Sequence, residues 1–245
     1  MNNSTTPIKN VTDNLKDPYS IFVTSNGDIY IDNGKNGNIY ISTANNENRS
    51  IAINGPNHAC FGLFVDINDT IYCSISEQHI VIKKSFQYND SSWTTAAGNG
   101  SKGGGLGQLN FPHGIFVDSN FNMYVADCDN NRVQRFERGE PNGITIPITN
   151  DRLNCPTGLV LDSDSNIYIV DNRNHRIVMA TLNSTEVRCL VGCSKSTGND
   201  SIHLNYPIGI SFDTIGNIYV SDTSNGRVQK FSLLTNSCSK CQDFS

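Results

Sequence analysis

Residues 111–136 read FPHGIFVDSNFNMYVADCDNNRVQRF, and this stretch decides the fold. A glycine precedes the apolar run IFV, and polar turns then separate the run MYVA and the run RVQRF. Short apolar runs separated by Asp, Asn and Gly turns predict three strands with tight connections. The first two runs are apolar at consecutive positions, so we expect both faces of the sheet to be covered.

The same pattern occurs five times, which makes it a repeat. The small residue before its first strand recurs with spacings of 42, 52, 44 and 51 residues, at Ser20, Gly62, Gly114, Gly158 and Gly209. A fourth apolar segment follows each of the first four copies, so each unit is predicted to be a four-stranded antiparallel meander. The copies lie near 17–42, 60–84, 111–136, 155–181 and 206–231.

A four-stranded unit with both faces covered predicts an all-β fold, a β-propeller whose blades pack between their neighbours. We expect residues 1–245 to form a single propeller domain. The last copy has no obvious fourth strand, and residues 1–16 contain a possible closing strand for it. Residues 235–245 form a cysteine-containing tail.

Three copies resemble the repeat of the NHL family, whose members are usually six-bladed β-propellers. The Gly, first Asp, second Asp and Arg of the family pattern correspond to Gly114, Asp118, Asp127 and Arg132, to Gly158, Asp162, Asp171 and Arg176, and to Gly209, Asp213, Asp222 and Arg227. The copy at 60–84 keeps Gly62 and Asp66, whereas the copy at 17–42 is weaker. With five copies visible, the propeller is expected to be five-bladed or an incomplete six-bladed one.

The repeated acids are predicted to be structural. Asp66, Asp118, Asp162 and Asp213 end the first strand, where a short acid can bond the backbone of the following turn. The second Asp and the Arg are spaced to meet across the next turn as an ion pair, in Asp127 with Arg132, Asp171 with Arg176 and Asp222 with Arg227. Catalysis needs one constellation rather than one per blade, so we predict no catalytic residue.

The histidines do not predict a metal site. His58 and His113 precede first strands, whereas the remaining three fall elsewhere in the repeat, at His79, His175 and His203. We therefore expect loop or surface histidines without a ring of metal ligands, and no metal or cofactor. The glycine-rich loop 98–108 lacks the Lys-Ser/Thr ending of a phosphate loop and is interpreted as a flexible connection between blades.

Eight cysteines form an even set, and neighbours in chain and blade suggest four disulfides. The proposed pairs are Cys60 with Cys73, Cys128 with Cys155, Cys189 with Cys193, and Cys238 with Cys241. The alternative for the last four cysteines is a zinc site. Sequence alone leaves the connectivity open.

Charge and composition bear on partners and compartment. A net charge of -5 and a pI near 5.4 do not favour nucleic-acid binding. No apolar window is long enough for a membrane span, and the first residues do not form a signal peptide. Paired cysteines together with sequons predict an extracellular or cell-surface glycoprotein. The nine sequons begin at Asn2, Asn3, Asn10, Asn48, Asn68, Asn89, Asn99, Asn183 and Asn199.

Three functions remain for such a chain. The first is a non-catalytic binding scaffold whose loop surfaces, including 85–110 and 192–205, recognise a protein partner or a glycan. The resemblance implies two alternatives, a substrate- or RNA-recruiting module of a tripartite-motif-type ubiquitin ligase and a metal-dependent lyase or hydrolase. Fold alone does not select among them.

Overall fold

Nineteen strands are present in the computed structural model, which describes residues 15–43, 50–53, 55, 57–85, 92–182 and 184–232. Blades 1 and 2 contain β1 (Ile21–Val23), β2 (Ile29–Asp32), β3 (Ile39–Ser42), β4 (Ser50–Ile53), β5 (Gly62–Val65), β6 (Thr70–Ile75), β7 (Ile80–Ser85) and β8 (Thr94–Ala97). Blades 3 and 4 contain β9 (Pro112–Val117), β10 (Met123–Asp127), β11 (Arg132–Phe136), β12 (Ile144–Thr145), β13 (Pro156–Leu161), β14 (Ile167–Asp171), β15 (Arg176–Ala180) and β16 (Val187–Val191). Blade 5 contains β17 (Pro207–Phe212), β18 (Ile218–Asp222) and β19 (Arg227–Phe231).

Each blade is an antiparallel meander, and the first strand of each blade contacts the first strand of the next. The predicted all-β propeller is confirmed. Blades 1 to 4 have four strands, and the described part of blade 5 has three. The possible closing strand within residues 1–16 falls almost wholly outside the described residues, as does the tail at 235–245.

A one-turn 3-10 helix joins the second and third strands of every blade. These turns are Gly34–Asn36, Ser76–Gln78, Cys128–Asn130, Asn172–Asn174 and Thr223–Asn225. The residue after each turn has the left-handed conformation, which glycine, asparagine and histidine adopt here. The reversal places the first residue of the third strand beside the last residue of the second, as with Asp127 and Arg132.

The described residues form four core clusters, each between two neighbouring blades. All five residues of β10 are buried, and so are all five of β14. This burial explains why these strands lack the alternation of a one-sided sheet. At the two end blades, by contrast, Val23 is 57% exposed and Val228 is 68% exposed.

The repeated glycines allow the first strands of neighbouring blades to approach each other. A Cβ atom on Gly114 would lie 2.7 Å from the carbonyl oxygen of Thr157 in the next blade. A Cβ atom on Gly158 would lie 2.6 Å from the carbonyl oxygen of Ile208. Since these contacts are with backbone, a larger residue would push neighbouring blades apart.

Candidate functional site

The first acid of the repeat accepts hydrogen bonds from the backbone of the turn that follows it. Asp118 Oδ1 accepts backbone N–H groups from Asn120 and Asn122 at 2.9 and 2.8 Å. Asp162 and Asp213 accept the corresponding bonds in blades 4 and 5, and Asp66 does so in blade 2. These carboxylates are therefore occupied by hydrogen bonds within the turn.

The second acid and the arginine form a clasp that reaches beyond the turn. Arg132 Nε lies 2.7 Å from Asp127 Oδ2, and the same distance separates Arg176 from Asp171 and Arg227 from Asp222. Asp127 Oδ1 also accepts the backbone N–H of Asn110, which enters the blade from the preceding loop. Each clasp thus ties a turn to the loop that leads into its own blade.

The glycine-rich loop 98–108 is held by one of these clasps. The guanidinium of Arg132 donates to the carbonyl oxygens of Gly104, Gly105 and Gln108 at 2.9 to 3.0 Å. Asn130 Nδ2 donates to the carbonyl oxygen of Gly103 at 2.7 Å. The loop connects blades 2 and 3 as expected, and its carbonyl groups accept hydrogen bonds from donors of blade 3, which the sequence did not reveal.

Two histidines that were assigned to unrelated parts of the repeat occupy the same position. His79 and His175 are the left-handed residues after the 3-10 turns of blades 2 and 4, and Asn131 is their counterpart in blade 3. His79 Nδ1 accepts the backbone N–H of Phe111, and His175 Nδ1 accepts that of Tyr206, both at 3.2 Å.

Asn131 accepts from the next blade in the same way, because its Oδ1 bonds the backbone N–H of Cys155 at 2.9 Å. The position therefore supplies an acceptor for the following blade. Burial lowers the pKa of His175, which agrees with an unprotonated Nδ1. These histidines connect blades and are not simple surface residues.

Six cysteines form disulfides. The bonds join Cys60 to Cys73, Cys128 to Cys155 and Cys189 to Cys193. The second of these links the turn of blade 3 to the residue before β13 of blade 4. Cys238 and Cys241 lie outside the described residues, so their pairing stays a prediction. With Cys189 and Cys193 bonded to each other, the alternative zinc site would lose two of its ligands.

A row of aromatic side chains was not identified from the sequence. We call Tyr19, Phe61, Phe111 and His113 the aromatic rim. Tyr19 and Phe61 stack with ring centroids 4.6 Å apart, and Phe61 meets His113 at 5.2 Å. Phe111 lies 5.8 Å from His113. Three rim residues directly precede the repeated small residue, so an alignment of the copies at that position would have revealed the row.

The rim has a partly exposed apolar surface next to polar groups. Tyr19 is 46% exposed. Burial is the main cause that lowers the pKa of His113 to about 4. The charge of Asp129 raises this pKa by a smaller amount, and the charge of Arg173 lowers it further. Arg173 Nη2 and Asp129 Oδ1 lie 3.7 Å apart. His113 is therefore neutral at pH 7 and acts as an aromatic group in the rim.

A cavity of 290 Å³ opens beside the stacked pair Tyr19 and Phe61. Lys35, His58 and Glu77 contribute both charges and an imidazole to its walls. His58 Nε2 lies 2.7 Å from Gln78 Nε2. The rim and this cavity together offer flat aromatic faces next to ionic groups, a combination that suits recognition of a side chain or a sugar ring.

Within the described ranges, no group of three His, Cys, Asp or Glu side chains is placed to hold a metal ion. The same part of the chain contains no helix with the length and apolar character needed to cross a membrane.

Radially packed antiparallel blades define the molecule as a β-propeller. A family model described as NHL repeat matches residues 109–136, 153–178 and 204–231, which contain the three strong copies. The chain therefore carries three NHL repeats on a β-propeller fold, as the resemblance predicted. No curated protein matched the chain by sequence.

Solved structures with the same fold include both enzymes and binding proteins. A streptogramin B lyase structure has a TM-score of 0.61 and 14% identity, over 93% of this chain and 72% of that one. An auxiliary nutrient binding protein from Bacteroides thetaiotaomicron has a TM-score of 0.69 and 18% identity, over 90% of this chain and 60% of that one. At these identities the likeness shows the fold alone, and the chain spans only part of each relative.

Proposed function

We propose that the chain is a non-catalytic binding scaffold and that the aromatic rim is its recognition surface for a protein partner. The observation that carries this proposal is the rim itself, in which stacked, partly exposed rings lie at or just before the start of the first strands of blades 1 to 3. Aromatic side chains on a preorganised surface are the usual anchors of protein interfaces. The repeated acids and arginines support the same conclusion, because their polar atoms are engaged in clasps.

The partner is expected to be extracellular. Three disulfides support an oxidising compartment. The sequons at Asn68, Asn99 and Asn199 lie on exposed residues, where a glycan could be attached without disturbing the core. The other six sequons lie outside the described residues.

The proposal is tested by binding measurements on the purified chain against displayed extracellular proteins and a glycan array. Tyr19→Ser removes an exposed ring of the rim, and we expect about tenfold or greater loss of affinity, the effect of an aromatic anchor. Ile215→Ser is the matched control, because Ile215 is 79% exposed and lies in the turn after β17. Binding should survive this control.

Two results would contradict the proposal. One is a partner whose affinity is unchanged by Tyr19→Ser and lost with Ile215→Ser. The other is turnover of a bound molecule by the wild-type chain, which would indicate an enzyme. If the chain binds only a glycan, and Tyr19→Ser abolishes this binding, the rim remains the binding site but the partner is a glycan and not a protein.

A further inference from the structure

A second cavity lies between blades 2 and 3, away from the aromatic rim. Its volume is 490 Å³, within the range of small-molecule sites. On the side of blade 2, the cross-strand row of Tyr72, Lys83 and Thr94 faces it. On the side of blade 3, the paired residues Met123 and Phe136 form its wall. We call this cavity the interblade pocket.

Small side chains in the outer strand of blade 2 leave the pocket open. Strand β8 has the sequence TTAA, and Thr94 and Ala96 line the pocket. The outer segment of blade 3 instead has bulky residues, and there Ile146 and Ile148 pack in the core between blades 3 and 4. The small side chains of β8 therefore contribute to the space of the pocket.

The floor of the pocket is apolar. Met123, Phe136 and Tyr72 are buried, with exposed fractions of 4%, 2% and 7%. Their side chains belong to the apolar core between blades 2 and 3. An apolar ligand body would extend this core and displace water from its end.

Two carboxylates and two cations line the pocket, and they differ in the partners that they have. Asp66 accepts hydrogen bonds from two backbone N–H groups and from the Tyr72 hydroxyl, and Glu137 lies 3.4 Å from Arg135. The Lys83 ammonium and the Arg138 guanidinium form no ion pair or hydrogen bond with other described residues. Arg138 stacks on Phe121 with its guanidinium carbon 4.9 Å from the ring centroid. The carboxylates are engaged and the cations are available.

We propose that the interblade pocket binds a small organic anion with an apolar body, such as an aromatic carboxylate. The ring packs on Met123 and Phe136, and the carboxylate meets Lys83 and Arg138. Guanidinium and ammonium groups bind carboxylates through charge-assisted hydrogen bonds. This site is independent of the aromatic rim and of the partner proposed for it.

Calorimetric titration with 2-naphthoate tests the site, and 2-naphthamide is the uncharged ligand of the same shape. We expect 1:1 binding of the naphthoate and about tenfold weaker binding of the amide. Lys83→Met and Arg138→Gln should each weaken naphthoate binding about tenfold. Lys230→Met is the matched control, because Lys230 pairs with Tyr219 in blade 5 as Lys83 pairs with Tyr72.

Three outcomes would overturn the proposal. They are absence of 1:1 binding at millimolar naphthoate, equal affinity for the amide, and a loss in Lys230→Met that equals the loss in Lys83→Met. Retained naphthoate binding in Tyr19→Ser is expected, because the rim is a different site. The proposals for the interblade pocket and for the aromatic rim can therefore be refuted independently of each other.

Discussion

Replacement of Arg176 by methionine should lower the free energy of unfolding by about 3–5 kcal/mol, the cost of leaving a buried charge without its partner. Arg176 is 1% exposed, and its Nε lies 2.7 Å from Asp171 Oδ2. Its Nη1 also bonds Asp151. Methionine fills much of the volume but leaves the fully buried Asp171 without its cation. The two remaining donors to Asp171 come from Asn154 and Asn174.

The other two clasps provide an internal scale, because the ion pairs have the same length and differ in exposure. The arginine side chain is 13% exposed for Arg132 and 29% exposed for Arg227. Water can replace part of the lost interaction where the arginine is exposed. We expect losses of about 2–3 kcal/mol for Arg132→Met and about 1–2 kcal/mol for Arg227→Met. Asp222 also keeps the Gln229 amide at 3.2 Å.

Urea unfolding of the oxidised protein, followed by circular dichroism, measures the three losses. Adding Asp171→Asn to Arg176→Met should recover about 1–2 kcal/mol, because the uncompensated charge is removed. The reasoning is refuted if Arg227→Met costs as much as Arg176→Met. It is also refuted if the double variant is less stable than the single one.

Three further perturbations test the disulfides, the glycines and His113. Loss of the Cys128 disulfide should lower the free energy of unfolding by about 3–4 kcal/mol, and loss of the Cys189 disulfide by about 2 kcal/mol, because the bonds span 27 and 4 positions. Equal shifts of the urea midpoint in the two variants would contradict this order. Gly114→Ala should lower the free energy of unfolding by about 1–3 kcal/mol, because the added Cβ would meet the backbone of the next blade. Gly209→Ala should lower it less in the same assay, because the added Cβ would meet only a serine hydroxyl at 3.0 Å. His113 has its pKa lowered to about 4, so stability should be full above about pH 6.5 and should fall toward pH 4.5 by about 2–3 kcal/mol. His113→Phe should remove this part of the pH dependence, and an unchanged profile would exclude His113 as its cause.

The blade was predictable from sequence because its signals are local. Apolar runs, turn acids and the repeated Gly114 position are visible within one copy, and the comparison of copies turns them into a fold. The ion pair between Asp127 and Arg132 was also predictable, since a short turn separates the two residues. The structure adds that Arg132 holds the loop at 98–108, a contact between residues 24 to 28 positions apart.

The aromatic rim and the interblade pocket required information that one copy does not contain. Phe61 and His113 belong to different copies and meet because inner strands of neighbouring blades lie side by side. The pocket depends on small residues in β8 facing Met123 across a blade boundary. Periodicity predicts each sheet, but the residues that two sheets place opposite each other follow from their three-dimensional packing.

The position after each 3-10 turn shows what the repeat preserves. His79, Asn131 and His175 differ as residues, yet each presents one lone pair to an amide of the following blade. The same position is Gly37 in blade 1 and Gly226 in blade 5, and neither residue has a side chain to offer. The three junctions between blade 2 and blade 5 therefore share one side-chain-to-backbone bond, and exchange of His175 for asparagine should leave that bond intact although the two residues share no acid–base chemistry.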